Sequence, residues 1–255
     1  MFVKIFSSPT WLLLALSHAM ACGSVDSAKS QSSIYQGVED SGNEAVGLLI
    51  RDGLKWCSAT LVAPNVALSA AHCFNGESSR PADLRIQFNG GSTSAQVTEV
   101  ISHPDYSDWF GRVSNDVAVL KLDQSLSVKP IALATSKPTA GEPVLVVGYG
   151  YADALDVASF NGTKRKGNNV VGKVEKLKIF LPKPKDESIA QVCKGDSGGP
   201  MFGTRNGQLE LIGIVSGSND TISAKTCLIE SYGARVDAFQ EWLWPLVYGE
   251  ASPAL

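Results

Sequence analysis

The sequence predicts an all-β barrel or sandwich that ends in a C-terminal helix. Three observations carry this expectation. Short apolar runs rich in Val, Ile and Leu recur along the chain, broken by Gly, Asn, Asp and Pro. The chain has 255 residues, and all-β folds run to about 200–250 residues as one unit. The last apolar stretch, Val236 to Val247, leaves the strand pattern and repeats at helical spacing, with Val236, Phe239, Trp242/Leu243 and Leu246 on one face. Pro245 is expected to bend or weaken that helix.

The chain begins with a segment that is read as targeting rather than fold. Met1 to Thr10 carries one positive charge, Lys4, followed by the apolar run Trp11-Leu-Leu-Leu-Ala-Leu16 and the small-x-small site Ala19-Met-Ala21. Residues 1–21 read as a secretory signal, too short to span a bilayer. Cys22 follows directly and precedes Gly-Ser, which resembles a bacterial lipoprotein cleavage-and-lipidation site. A lipid anchor on Cys22 is expected, and it would explain the odd cysteine count. The alternative is ordinary signal cleavage. Residues 22–33 are Ser-rich and aperiodic, a propeptide or linker. Residues 34–255 form the folded domain.

Strands are expected at Ala45–Ile50, Ala59–Ala63, Val66–Ser69, Leu84–Phe88, Val97–Ile101, Val117–Leu122, Val144–Gly148 and Leu209–Val215. Ala70–Phe74 looks helical but is short. Tyr151–Asn169, with its Lys164-Arg-Lys166 cluster, and Pro182–Ser188 read as long loops, the cluster as a solvated face. Net charge is −3, and no basic stripe argues for nucleic acid. No other window offers the roughly 18 apolar residues of a membrane-spanning helix. No His/Cys/Asp cluster has metal-ligand spacing, and no cofactor is expected.

Chemistry concentrates in Cys193-Lys-Gly-Asp-Ser-Gly-Gly-Pro200. A lone Ser-Gly-Gly is usually a surface turn. The string Gly-Asp-Ser-Gly-Gly-Pro fixes six positions, a coincidence on the order of once in ten million start positions at average usage. Ser197 there reads as a nucleophile, with an oxyanion hole built from its own N–H and that of Gly195. A serine hydroxyl needs a base. Beyond the signal only His72 and His103 remain. His72, in Ser69-Ala-Ala-His-Cys73, is preferred to His103, which lies in the turn-like His103-Pro-Asp-Tyr106. The imidazole needs a carboxylate to orient it. Asp116, at the mouth of the apolar run Val117–Leu122, is the candidate, although Asn115-Asp116 also reads as a plain turn.

These strings resemble the chymotrypsin/trypsin family of serine endopeptidases. Ser69-Ala-Ala-His-Cys73, Asn115-Asp-Val-Ala-Val-Leu-Lys-Leu122 and Cys193-x-Gly-Asp-Ser-Gly-Gly-Pro200 occur in the family's order. Weaker echoes are Val147-Gly-Tyr-Gly150 and Gly213-Ile-Val-Ser216. The resemblance runs from Ile34 to about Val247. It implies two packed antiparallel six-stranded β-barrels with a C-terminal helix and the site in the cleft. It implies a Ser197 nucleophile, a His72 base, Asp116 as orienter, and the N–H groups of Gly195 and Ser197 as oxyanion donors. It also implies the pairings Cys57–Cys73 and Cys193–Cys227, each contributing roughly 3 kcal/mol by loop entropy. The lack of further disulfides suggests a bacterial-type secreted member, expected to be a monomer acting on polypeptides.

The family's activation scheme would free the N-terminus of Ile34, whose ammonium would pair with Asp196. Cleavage after Ser33 would need an unidentified protease or self-cleavage, and would part the enzyme from a lipid anchor on Cys22. For specificity, the resemblance puts Gln191 at the pocket floor and Val192 on its wall. Ser216 falls on the substrate-pairing strand, with Gly217 where an aromatic is usual, Ser218 where glycine is usual, and Ser231 near the other wall. Gln191 in place of aspartate implies that Lys and Arg are poor substrates, and that small or medium uncharged residues are preferred. Two other classes compete. A non-catalytic binder on the same fold usually lacks a triad member, and none is missing here. An esterase on an α/β-hydrolase fold would order its residues Ser, Asp, His, which this sequence does not.

Overall fold

The computed structural model describes residues 1–2, 34–74, 80–109, 112–152, 156–186, 188–219 and 226–249. The expected signal, Cys22 and the 22–33 linker lie outside the described folded residues. In chain order the strands are β1 (Val38–Glu39), β2 (Val46–Arg51), β3 (Leu54–Ala63), β4 (Val66–Ser69), β5 (Leu84–Phe88), β6 (Thr93–Ser102), β7 (Ser107–Trp109), β8 (Arg112–Ser114) and β9 (Ala118–Leu122). Then come β10 (Ala132–Leu133), β11 (Pro143–Gly148), β12 (Arg165–Val170), β13 (Lys173–Val174), β14 (Lys178–Leu181), β15 (Pro200–Arg205), β16 (Gln208–Ser218) and β17 (Ser231–Arg235), followed by the helix α1 (Gln240–Tyr248).

The all-β expectation holds. Strands β2-β3-β4-β9-β6-β5 close into a six-stranded barrel. Its sequence logic is period-two burial: Leu84, Ile86 and Phe88 on β5 are fully buried while Arg85 between them is exposed. The second half is a nine-stranded sheet, β1-β12-β11-β15-β16-β17-β14-β13, with β10 parallel to β16. It differs from a plain six-stranded barrel in a definable way. Residues 165–174 pair with β11 through β12 and with β14 through β13, switching partner at Val171-Gly172. The sheet thus curls back on itself through one bent segment, while β1 and β10 are additions at its rim.

Each half has its own core. Ile34, Val144, Val146, Ile179, Leu181, Met201 and Ile212 pack inside the second sheet. The first barrel's core extends onto Phe239, Leu243, Trp244 and Val247, because α1 packs against β3 and β9. A single 3₁₀ turn, Asp237–Phe239, leads into α1, and Pro245 lies inside it. The buried face is Val236, Phe239, Leu243, Trp244 and Val247, whereas Trp242 and Leu246 are only partly covered. The helix therefore runs through Pro245, with its face rotated from the expected one.

One of the two loop expectations is corrected. The end of Tyr151–Asn169, from Arg165 on, is strand β12, held between β1 and β11. Because β12 is interior, two of the three basic residues of the cluster are withdrawn from solvent. Lys164 and Arg165 are buried. Lys164 Nζ donates to the carbonyls of Gly42 at 2.6 Å and Asn43 at 3.0 Å, Arg165 lies 3.6 Å from Glu39, and Lys166 lies 3.1 Å from Asp40. Pro182–Ser188 carries no strand among its described residues.

Candidate active site

The two halves meet where the glycine turn after Cys193 packs on the middle of β3 and the end of β4. A Cβ on Gly198 would lie 2.0 Å from Ser69 Oγ and 2.4 Å from Ser58 O, and its φ of +77° also requires glycine. Ser58 N donates to Ser197 O at 2.8 Å, and Ser58 Oγ donates to Gly195 O at 3.3 Å. Ser58 Oγ also accepts from Tyr149 N, and Tyr149 Oη donates to Val46 O. One serine thus stitches the Ser197 turn, the first barrel and the end of β11 together.

His72 sits on the single 3₁₀ turn Ala71–Phe74 that follows β4. The adjacent Cys73 is bonded to Cys57, and Trp56 Nε1 donates to Cys73 O at 2.7 Å. Asp116 follows Asn115, whose φ of 50° is a left-handed conformation that asparagine tolerates. That turn buries the Asp116 carboxylate to 2 % exposure. Its Oδ1 accepts from His72 N at 2.9 Å and its Oδ2 lies 2.7 Å from His72 Nδ1. Ser216 Oγ donates to the same Oδ2. The carboxylate therefore fixes both the backbone and the ring of His72, and leaves Nε2 facing away from it.

Ser197 is half-buried on the turn. No hydrogen bond joins its Oγ to His72 among the described residues. Apo sites of this kind commonly tighten only around substrate. Gly195 has φ +89°. Among the described residues, the N–H groups of Gly195 and Ser197 find no protein acceptor, whereas those of Asp196, Gly198 and Gly199 are bonded to Cys193 O, Val215 O and Asp196 O. Unpaired N–H groups are uncommon in a folded interior, and this pair flanks Asp196.

Asp196 is fully buried. It accepts from Gly150 N and Cys193 N, both at 2.8 Å, and from the backbone N–H of Ile34. Burial pushes its carboxyl up to about 7, against the pull of those N–H groups and of Arg165. Ile34 is itself fully buried.

The expected specificity residues come together on the other side. Gln191 is fully buried; its Nε2 donates to Pro182 O at 2.9 Å and Ile229 O at 3.0 Å, and its Oε1 accepts from Val192 N and Ser231 Oγ. Val192 and Ser231 are buried beside it. Gly217 is opposed by Tyr232, and Ser218 by Ser231. The second disulfide, Cys193–Cys227, ties the start of the glycine turn to this wall. His103, the rival base, instead lies against Phe239 and Trp242 at ring distances of 5.2 and 4.9 Å, and burial lowers its pKa. Cys57, His72 and Cys73 come close enough to suggest a metal group, but both sulfurs are spent in the disulfide. The hydroxyl of Ser216 as a support for Asp116 was not readable from the sequence. The string Gly213-Ile-Val-Ser216 marks the strand, but nothing in its spacing says where the hydroxyl points.

A closed antiparallel barrel and a curled sheet, meeting at a buried Asp–His pair beside a glycine-lined serine turn, define a serine endopeptidase. The family model described as Trypsin matches residues 34–243, and the chain belongs to that family. It is 28% identical over 224 residues to "Trypsin" of Saccharopolyspora erythraea, covering 77% of this chain and 90% of that protein. It is 27% identical over 214 residues to "Trypsin-2" of Salmo salar, covering 72% and 85%. To "Kallikrein-4" of Homo sapiens it is 29% identical over 183 residues, covering 66% and 69%. Such similar identities across these organisms do not single out a bacterial type.

Proposed function

We propose that residues 34–255 are a secreted endopeptidase that cuts peptide bonds through an acyl-enzyme on Ser197. Ser197 Oγ attacks the scissile carbonyl carbon while its proton passes to His72 Nε2. The N–H groups of Gly195 and Ser197 hold the resulting oxyanion, a contribution of about 10²–10³ in rate per donor. The C–N bond breaks as Nε2 returns the proton to the leaving amine. Water then attacks the ester, gives its proton to Nε2, and Ser197 recovers it as the acid product leaves. Asp116 holds the tautomer and stabilises the imidazolium. The observation that carries this reading is the buried Asp116 carboxylate, 2.7 Å from His72 Nδ1 and bonded also to His72 N. Labelling of Ser197 by a fluorophosphonate, abolished in Ser197→Ala, tests it. Failure to label would favour the non-catalytic binder.

Activation is proposed to follow from Asp196. Cleavage between Ser33 and Ile34, by another protease or by the enzyme itself, would place an ammonium where Ile34 N–H already meets the buried carboxylate. Such a partner suits a buried acid better than a neutral N–H. The signal at residues 1–21 and lipidation of Cys22 would hold the uncut form at a membrane, and cleavage would release it. N-terminal sequencing of the active form, with fractionation, checks both steps. Active enzyme that keeps residues before Ile34 would sink the scheme. Gln191, Val192, Ser216, Gly217, Ser218 and Ser231 are proposed to form a neutral substrate pocket that disfavours Lys and Arg.

A further inference from the structure

Lys178 opens β14 and is opposed by Ala234 of β17. Residues directly opposed on antiparallel strands share a face, as do residues two apart on one strand. Tyr232 is opposed by Phe180 on one side and by Gly217 on the other. Lys178, Phe180, Tyr232 and Gly217 therefore lie on one face. On it the Lys178 ammonium rests 4.1 Å from the centroid of the Tyr232 ring, a favourable cation–π arrangement. Gly217 has no side chain to cover that ring; the atom nearest its missing Cβ is Tyr232 Oη, at 3.1 Å.

Lys178 is half-buried, and no ion pair to it forms among the described residues. Burial lowers its pKa, while Glu175, opposite it across the hairpin, and Asp116 favour its charge. Asp116 and Asp108 are the carboxylates that act on Tyr232. Asp116 is already occupied by His72 and Ser216. Glu175 and Lys173 share this face and pair with each other at 2.6 Å, so Lys178 is a partly desolvated cation whose facing acid is held by a second lysine.

This face borders the edge of β16. Among the described residues β15 pairs with β16 only as far as Ile214, and Gly217 pairs with Tyr232 of β17. A peptide can add to such an edge as a further strand. With the residue before the scissile bond opposite Ser216, the second residue before it lies opposite Gly217. Alternation then puts the second and fourth side chains on the face that carries Lys178.

We propose that Lys178 is a specificity-determining residue that selects substrates with Asp or Glu at the second or fourth position before the scissile bond. The inference rests on the reading that Ser216–Ser218 binds the substrate strand. The test uses the full-length protein converted to its active form, and quenched peptides that differ only by Glu or Gln at those two positions. At one of them Glu should raise kcat/KM about tenfold, the scale of one charge-assisted contact. Lys178→Gln should erase that preference while Gln peptides are still cut at the original rate. Lys178→Arg should keep it, and added salt should shrink it. Equal rates for Glu and Gln peptides, or a preference that survives Lys178→Gln, overturn the inference. So does a uniform loss on all peptides in Lys178→Gln. If the wild-type enzyme cuts no peptide and takes no fluorophosphonate, the proposed function falls as well.

Discussion

Gly148 lies so close to Asp196 that a Cβ on it would sit 2.1 Å from the carboxylate Oδ1. Gly150 is equally tight, with its missing Cβ 2.6 Å from Asp196 N. The string Val147-Gly-Tyr-Gly150 is therefore the wall of a socket. Neither contact can be relieved by a flexible side-chain end, since the socket side is a buried, triply bonded carboxylate and backbone. Gly148→Ala should cost about 3 kcal/mol of stability by overpacking and abolish fluorophosphonate labelling. Gly42→Ala, whose nearest atom is 3.5 Å away, should be nearly neutral. Urea unfolding of both variants checks this, and a stable, labelled Gly148→Ala enzyme would refute it.

Asp196 should make the stability of the uncut chain depend on pH in an unusual direction. Its carboxyl is raised from 3.8 to about 7, with burial the largest cause. Between those values the folded chain holds a proton that the unfolded chain has released. The stabilisation is thus complete below about pH 4 and is lost as pH rises toward 7. Arg165 opposes the shift. It is opposed by Gly148 across β11 and β12, which places its side chain on the Asp196 face of the strand pair. Arg165→Gln should carry the loss on to higher pH, and Asp196→Asn should remove it. Under the proposed activation, cutting before Ile34 should also flatten it. Denaturation midpoints of cut and uncut protein across this window are the measurement.

How much of this was legible in the sequence depends on the kind of constraint. Each of the eight expected runs coincides with a strand, those at Ala45 and Val117 starting one residue early, because β-branched runs and turn residues are local signals. The rotated face of α1 was not legible, since which side of Val236–Val247 is buried is decided by β3 and β9. The burial of Lys164 and Arg165 was missed for a similar reason. Charges normally mark solvent, and here carbonyls from residues 42 and 43 and the acids Glu39 and Asp40 receive them. At the site, Gly-Asp-Ser-Gly-Gly named the turn, but spacing could not show that Ser216 Oγ bonds Asp116 or that Lys178 reaches Tyr232.

The grip of Asp116 on His72 gives two graded expectations. Asp116→Asn keeps the shape but can no longer anchor the same tautomer. For triads of this kind the loss is about 10⁴ in kcat, a magnitude carried over from such enzymes rather than from this geometry. Ser216→Ala removes one of three donors to the buried carboxylate and should lower kcat by roughly tenfold, the equivalent of one hydrogen bond to a charge. Ser216→Thr, which restores a hydroxyl, should recover most of it. Steady-state kinetics on one neutral peptide would rank the three. A Ser216→Ala enzyme with unchanged kcat would remove the hydroxyl from the account.

The sharpest test concerns Gln191, because relatives of this chain carry the name trypsin. Its amide is used up: Nε2 on Pro182 O and Ile229 O, Oε1 on Val192 N and Ser231 Oγ. A fully buried, fully bonded amide cannot turn to meet an incoming ammonium or guanidinium, and it carries no charge to offset one. Peptides with Lys or Arg before the scissile bond should therefore be cut about a hundredfold less efficiently than those with a small uncharged residue. Gln191→Ala would strand two carbonyls, an N–H and a hydroxyl, and should cost about 2–4 kcal/mol of stability. Gln191→Glu would aim a carboxylate oxygen at two carbonyl oxygens, so its stability should fall further as pH rises and that group ionises. A peptide-library cleavage profile beside urea unfolding of the two variants decides both claims. A profile dominated by Lys and Arg would overturn the neutral pocket, whatever the stabilities show.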